Sequence, residues 1–177
     1  GRFAEAGAAV ADVSATFAYV NQHSTTTEEN VIWQLNNNDE RYTVANLDGG
    51  NGLPFVTAGD PRVPVEDTGD EAFDSTTPLF TQQIWADRAD PVAVISGIEA
   101  RLIAAEAALK AGQYAVPLTG TLAILNDLRA DAGMVALTPA ATANDQATQL
   151  FDGRAWWLFS TGHRLRDLRR MIPPAPP

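Results

Sequence analysis

The apolar residues of this chain change their spacing twice, and that change limits what the chain can fold into more than any single motif does. Residues 2–13 are alanine-rich, with Phe3, Ala6, Val10 and Val13 at helical spacing, which predicts a helix packed on one face. Residues 14–19 then leave that helix in extended form. From 22 to 90, Ser, Thr, Asn, Asp, Gly and Pro recur every few residues and no helical period is sustained, so a long irregular region is expected. Helical periodicity returns at Val94 and holds nearly to the end.

Ser96, with Glu99 three residues on, has the spacing of a capping box, which satisfies orphan amides at a helix start. Ile98, Leu102, Ala105 and Leu109 follow as one apolar stripe, and Gly112 is suited to close the helix. Residues 118–132 repeat the pattern with Leu122, Leu125, Leu128 and Ala132 ahead of Gly133. The two predict an antiparallel hairpin whose alanines let the helices approach closely, as in tetratricopeptide-type pairs. A third helix is expected over 144–159, carrying Leu150, Ala155, Trp156 and Phe159, and a short basic helix over 163–171, ahead of Pro173 and Pro174. The expected fold is mainly α: a single domain over 1–177, with a helix and exit segment at 1–20 and a loop-rich region at 21–93. The helical hairpin and closing helices fill 94–172, and an extended Pro-rich tail fills 173–177.

Within the irregular region, 30–35 reads as a short strand or a helical turn, and 41–45 as a second short extended piece. Asp48, Gly49, Gly50, Asn51 and Gly52 form a turn cluster, Pro61 and Pro64 fix an extended path, and 67–74 is an acidic loop. Trp33, Tyr42, Phe55, Phe80 and Trp85 all fall in this region. Sugar rings lie well on indole and phenol faces, and amides such as Gln34, Asn36, Asn37 and Asn38 can bond hydroxyls, so Trp33, Tyr42 and Trp85 are candidate ligand-binding residues. The competing reading is that these aromatics pin the loops to the core. The acidic loop, with Glu66, Asp67, Asp70, Glu71 and Asp74, lacks an EF-hand register, and a solvated face is expected rather than a metal site.

The formal net charge of -10 speaks against a general nucleic-acid surface. Lys110 is the sole lysine, and five of the eleven arginines lie between Arg154 and Arg170. Forks of this kind bind phosphate or carboxylate bidentately, or pair internally with acids. Internal pairing is the expectation: Arg154, Arg164, Arg169 and Arg170 against Asp152, Asp167, Glu99 and Glu106. With Arg101, the structural ion-pair network then comprises Glu99, Arg101, Glu106, Arg154, Arg164, Asp167 and Arg169.

The absence of cysteine removes disulfides, thiolate metal sites and cysteine nucleophiles, and leaves no lipobox cysteine within these residues. No run approaches the roughly 20 apolar residues that span a bilayer. His23 and His163 are the only histidines, no nucleophile elbow, HExxH or phosphate loop occurs, and His163 beside Arg164 reads as structural. No catalytic residue, metal or cofactor is expected, and the chain is read as a non-enzyme. Its abrupt start, Gly1-Arg2-Phe3 within the body of a helix, suggests a fragment or a processed product.

Three stretches in order carry a family resemblance: EARLIAAEAALKAG over 99–112, LNDLR over 125–129 with Gly133, and Arg154 followed by GHR over 162–164 and DLRR over 167–170. Together with the Asp60-Pro61-Arg62 element upstream, they resemble the C-terminal part of the SusD/RagB family of outer-membrane nutrient-binding lipoproteins. Two positions depart from the family's pattern: Gly153 stands where an acid precedes the arginine, and Thr161 where a glutamate precedes the glycine. The resemblance implies a SusD-like helical scaffold at the cell envelope, periplasmic or outer-membrane-associated, that captures glycans or other nutrients without catalysis. It also implies a membrane partner, a TonB-dependent transporter. The alternative is a structural or accessory subunit recruited to a larger membrane-associated complex on its periplasmic side.

Overall fold

The computed structural model describes residues 1–47, 50 and 52–171. In chain order its elements are α1 (Phe3–Ala9), β1 (Ala18–Asn21), α2 (Val31–Trp33, continued by a π-helical segment over Gln34–Asn38), β2 (Val65–Glu71), β3 (Pro78–Gln82), β4 (Val92–Ser96), α3 (Gly97–Lys110), α4 (Thr121–Asp131), α5 (Ala143–Trp157) and α6 (Arg164–Met171). The chain divides into two compact units: Gly1–Ala18 with the chain from Ile95 onward, and Tyr19–Val94. Strands β1 and β4 pair with each other.

Helices hold 38% of the residues and strands 12%, with two small antiparallel sheets, so the molecule mixes α and β instead of being mainly α as the periodicity predicts. The strands escape a pattern reading for a physical reason. Strand β2 is VEDTGDE, which has no apolar face to alternate, and it is held by its ladder to β3 with Val65 opposite Gln82 and Asp67 opposite Phe80. Hydroxyls and a carboxylate add the rest. Thr68 Oγ1 donates to the Leu79 carbonyl, and the Asp74 carboxylate accepts from the amides of Thr76 and Thr77 and from the Thr77 hydroxyl, closing the turn. On the other edge of β3, the Val44 amide donates to the Phe80 carbonyl, while the Phe80 amide donates to Thr43 Oγ1. A side chain thus replaces a ladder partner, and residues 41–45 run beside β3 without becoming a strand.

Residues 30–35 form the helical turn of the two alternatives. Asn30 is the N-cap of α2, its Oδ1 accepting from the amides of Ile32 and Trp33. Of the turn cluster at 48–52, Asp48, Gly49 and Asn51 lie outside the described residues, as does the tail from Ile172.

In the first unit, Ser96 caps α3 by accepting from the Glu99 amide. Its neighbour Gly97 has no room for a side chain, because a Cβ there would lie 1.8 Å from the Ser14 carbonyl oxygen, and its amide donates to the Phe17 carbonyl at 2.7 Å. The core is Leu102 and Ala105 of α3, Ile124, Leu125 and Leu128 of α4, Leu150 of α5, and Leu158. Helix α4 is tied to α3 by the buried Thr121 hydroxyl, which donates to the Ala105 carbonyl at 2.9 Å. Helix α1 approaches α3 closely where Gly7 faces Ala107, since a Cβ on Gly7 would lie 2.8 Å from the Ala107 methyl. Among the described residues, no helix is long and apolar enough to cross a membrane.

Candidate functional site

Three helices of the first unit converge on one carboxylate. Asp167 of α6 is 3% exposed and Arg154 of α5 is 4% exposed; Arg154 donates from Nε to Asp167 Oδ2 at 2.7 Å and from Nη2 to Oδ1 at 3.3 Å. Arg170 donates from Nη2 to Asp167 Oδ1 at 2.5 Å and from Nη1 to Glu106 Oε1 of α3 at 2.6 Å. Two acids and two arginines therefore close a neutral network, the condition under which charges are tolerated in a core. Burial pushes the Asp167 carboxyl upward, but the hydrogen bonds from Arg154 and Arg170 outweigh it and hold the group below its ordinary value.

Beside this network lies a second chain of contacts. His163 Nε2 is 2.9 Å from Glu99 Oε1, and its Nδ1 is 2.7 Å from Thr161 Oγ1, whose hydroxyl donates to the Leu158 carbonyl at 2.7 Å. Glu99 as a carboxylate accepts from Nε2, and the direction of the Thr161–Nδ1 bond follows the tautomer of the ring. A cleft of about 310 Å³ is lined by Glu99, Glu106, Arg154, His163 and Arg166 together with the apolar Phe3, Ala6 and Ile103. A second cleft of about 510 Å³ shares Phe3, Glu106 and Arg170 with it, and is lined further by Lys110 and Phe151. Here the two cations lie over aromatic rings, Lys110 over Phe3 and Arg170 over Phe151.

The remaining members of the expected network lie elsewhere on the unit. Arg101 meets Asp127 of α4 at 3.6 Å. Arg164 lies near Asp152, whose carboxyl is pushed up by burial against the opposing pull of Arg164. Arg169 is exposed and enters no ion pair among the described residues. Gly153 sits against Leu125, where a Cβ would find ordinary contact at 3.5 Å.

The candidate ligand-binding aromatics all belong to the second unit. Trp85 is 8% exposed, and Trp33, half-buried, lies under the Arg88 guanidinium. The Tyr42 hydroxyl donates to the Ile32 carbonyl. Of the amides that would bond sugar hydroxyls, Asn36, Asn37 and Asn38 hydrogen-bond within the chain. Asn36, fully buried, donates to the carbonyls of Tyr42 and Phe80 and accepts from the Gln82 amide; Asn37 and Gln82 bond each other's side chain or backbone. Gln82, also fully buried, accepts from the amides of Ile84 and Trp85 and donates to the Trp85 carbonyl. Of the expected acidic loop, Glu66, Asp67, Asp70 and Glu71 lie in strand β2 and only Asp74 in the turn to β3, and among the described residues no cluster of acids or histidines is arranged to hold a metal ion.

Sequence reasoning reached Glu106, Arg154 and Asp167 but not the part played by Thr161 and His163. The Thr161–His163 spacing resembles no catalytic motif, and its partner Glu99 is 64 residues away. Nor did it reach Arg166, whose value depends on the cleft. No family model, curated protein or solved structure matches the chain.

Proposed function

We propose that the chain is a non-catalytic binding protein of the cell envelope, of the SusD/RagB kind, that captures a glycan or another nutrient for a TonB-dependent transporter. One observation carries the reading: the residues that bear the resemblance, far apart in sequence, meet at Asp167. Glu106 comes from the 99–112 stretch, Arg154 from the arginine position, and Asp167 and Arg170 from the final run. A chance assortment of an alanine-rich helix and a basic run has no reason to converge on one buried carboxylate. The same network accounts for Arg154 and Arg170 without any catalytic role.

A second reading draws on a different observation. Leu165, Leu168 and Met171 share one face of α6 and are 59%, 41% and 43% exposed. An uncovered apolar face of this kind suits an accessory subunit that docks on a larger envelope complex.

Mild-detergent purification of the native protein from membranes, with mass spectrometry of its companions, separates the two. Co-migration with a β-barrel transporter is the outcome expected of nutrient capture. Fixed stoichiometry with an unrelated membrane complex would replace it with the accessory role, and migration alone in a fraction free of membrane would sink both.

A further inference from the structure

We propose that the outward face of α6, which carries Leu165, Leu168 and Met171 together with Arg164 and Arg169, seats on a bilayer surface that contains anionic phospholipid. The first reason is that this helix is inverted. A helix on the surface of a protein normally turns its apolar residues to the core and its charges to water. In α6 the buried residue is Asp167, and Arg166, Asp167 and Arg170 line the 310 Å³ cleft, while Leu165, Leu168 and Met171 are 59%, 41% and 43% exposed. At about 100° per residue the two sets fall on opposite sides of the helix, and Arg164 and Arg169 belong to the apolar side. An apolar stripe turned to water, on a helix whose acid is satisfied inside, calls for a cover.

The second reason is charge. The chain as a whole carries a formal -10, yet α6 holds four arginines and one acid, and that acid is turned inward onto Arg154 and Arg170. The outward face offers guanidinium groups and no carboxylate of its own; the acid that acts on it from a neighbouring helix is Asp152 of α5, near the half-buried Arg164. A second copy of the chain would set these arginines against their own equivalents, so charge disfavours pairing through this face. The third reason is size. Eight residues make a helix about 12 Å long, and three apolar side chains on it fall far short of the roughly 800 Å² per partner that a stable protein interface buries. Lipid sets no such minimum, because aliphatic side chains enter the acyl boundary singly while the long stems of arginines let their heads reach headgroup phosphates. Repulsion from the acidic remainder is screened over a Debye length of about 8 Å and does not prevent a local contact.

This assignment takes the face on which the accessory-subunit reading rests and gives it lipid in place of protein, whereas nutrient capture neither requires nor excludes it. Co-sedimentation of the full chain with vesicles of phosphatidylcholine alone, and of phosphatidylcholine mixed with phosphatidylglycerol, tests it. The mixed vesicles should retain the chain, the neutral ones should retain little, and retention should fall as salt is raised. Leu165→Gln should weaken binding about tenfold, the loss of one leucine from the acyl boundary, and Arg169→Gln about fivefold, each at unchanged melting temperature because both positions are exposed. A diazirine side chain at position 165, activated in native membranes, should form adducts with lipid. No retention on the mixed vesicles, equal retention on neutral ones, binding indifferent to both substitutions, or adducts with protein alone would overturn the assignment, the last in favour of the accessory subunit. Each of these outcomes leaves co-migration with a transporter, which decides nutrient capture, to be read separately.

Discussion

Asp167 is the position at which a single atom change should matter most. Asp167→Asn keeps the shape but removes the charge that Arg154 and Arg170 share, leaving a buried guanidinium uncompensated. Breaking one partner of a buried pair costs about 3–5 kcal/mol, and chemical denaturation of the variant should register a loss of that order. Because the carboxyl is held below its ordinary value, its contribution is present above the ordinary 3.8 of an unfolded aspartate and is lost as pH falls through the lower folded value. The acid limb of the wild-type stability profile should therefore flatten in Asp167→Asn. Asp152 works in the opposite sense. Burial pushes its carboxyl up, so the charged form is a burden at neutral pH, and Asp152→Asn should stabilise the protein there. That gain should shrink as pH falls through the raised folded value and vanish below 3.8. The charged residues of this region were legible as a set because arginines cluster visibly, but their pairing was only half legible. Arg154 and Asp167 stand 13 residues apart on different helices, and no local rule links them. Arg164 and Arg169 look equivalent to Arg154 in sequence, yet burial distinguishes them.

At the scale of elements, the helices were the readable part. Ser96 and Gly112 bracket α3 much as their side-chain chemistry dictates, and Ser96→Ala should lower stability by about 1 kcal/mol, measured by thermal or denaturant unfolding. A loss well under that would mean that the Gly97–Phe17 backbone bond, not the cap, fixes the start of the helix. The Glu99 side chain departs from a capping box, since it reaches His163 instead of returning to the Ser96 amide. Strands were the unreadable part. Their stability resides in ladders and in the hydroxyls of Thr43 and Thr68, and such bonds leave no periodic trace in the order of apolar residues. Within the amide-rich run at 34–38, Asn36 and Asn37 bond backbone groups more than 40 residues away, a pairing that no local pattern displays.

At the scale of the whole molecule, the two units rest on different physics. The first has an aliphatic core; the second encloses the amides of Asn30, Asn36 and Gln82 fully beside its buried Val44, Val63, Leu79 and Trp85. Asn36→Ala removes three hydrogen bonds and strands the Gln82 amide, a cost on the order of 3 kcal/mol at about 1 per bond. Hydrogen exchange should then show lost protection across Tyr19–Val94 with the amides of α3, α4 and α5 unchanged; a uniform loss would mean that the units unfold as one.

The way the first unit is split by the second also bears on how the protein is made. A hundred residues separate Gly7 from the Ala107 methyl it packs against. At about 5–20 residues per second, a ribosome takes roughly 5–20 s to cover that distance. Over that interval α1 lacks the helix that covers it, while Tyr19–Val94 is synthesised in full before α3 is and can form its own amide network first. Synthesis order therefore favours the middle of the chain folding before its beginning, and leaves Phe3 and Val10 as the surface most in need of a chaperone.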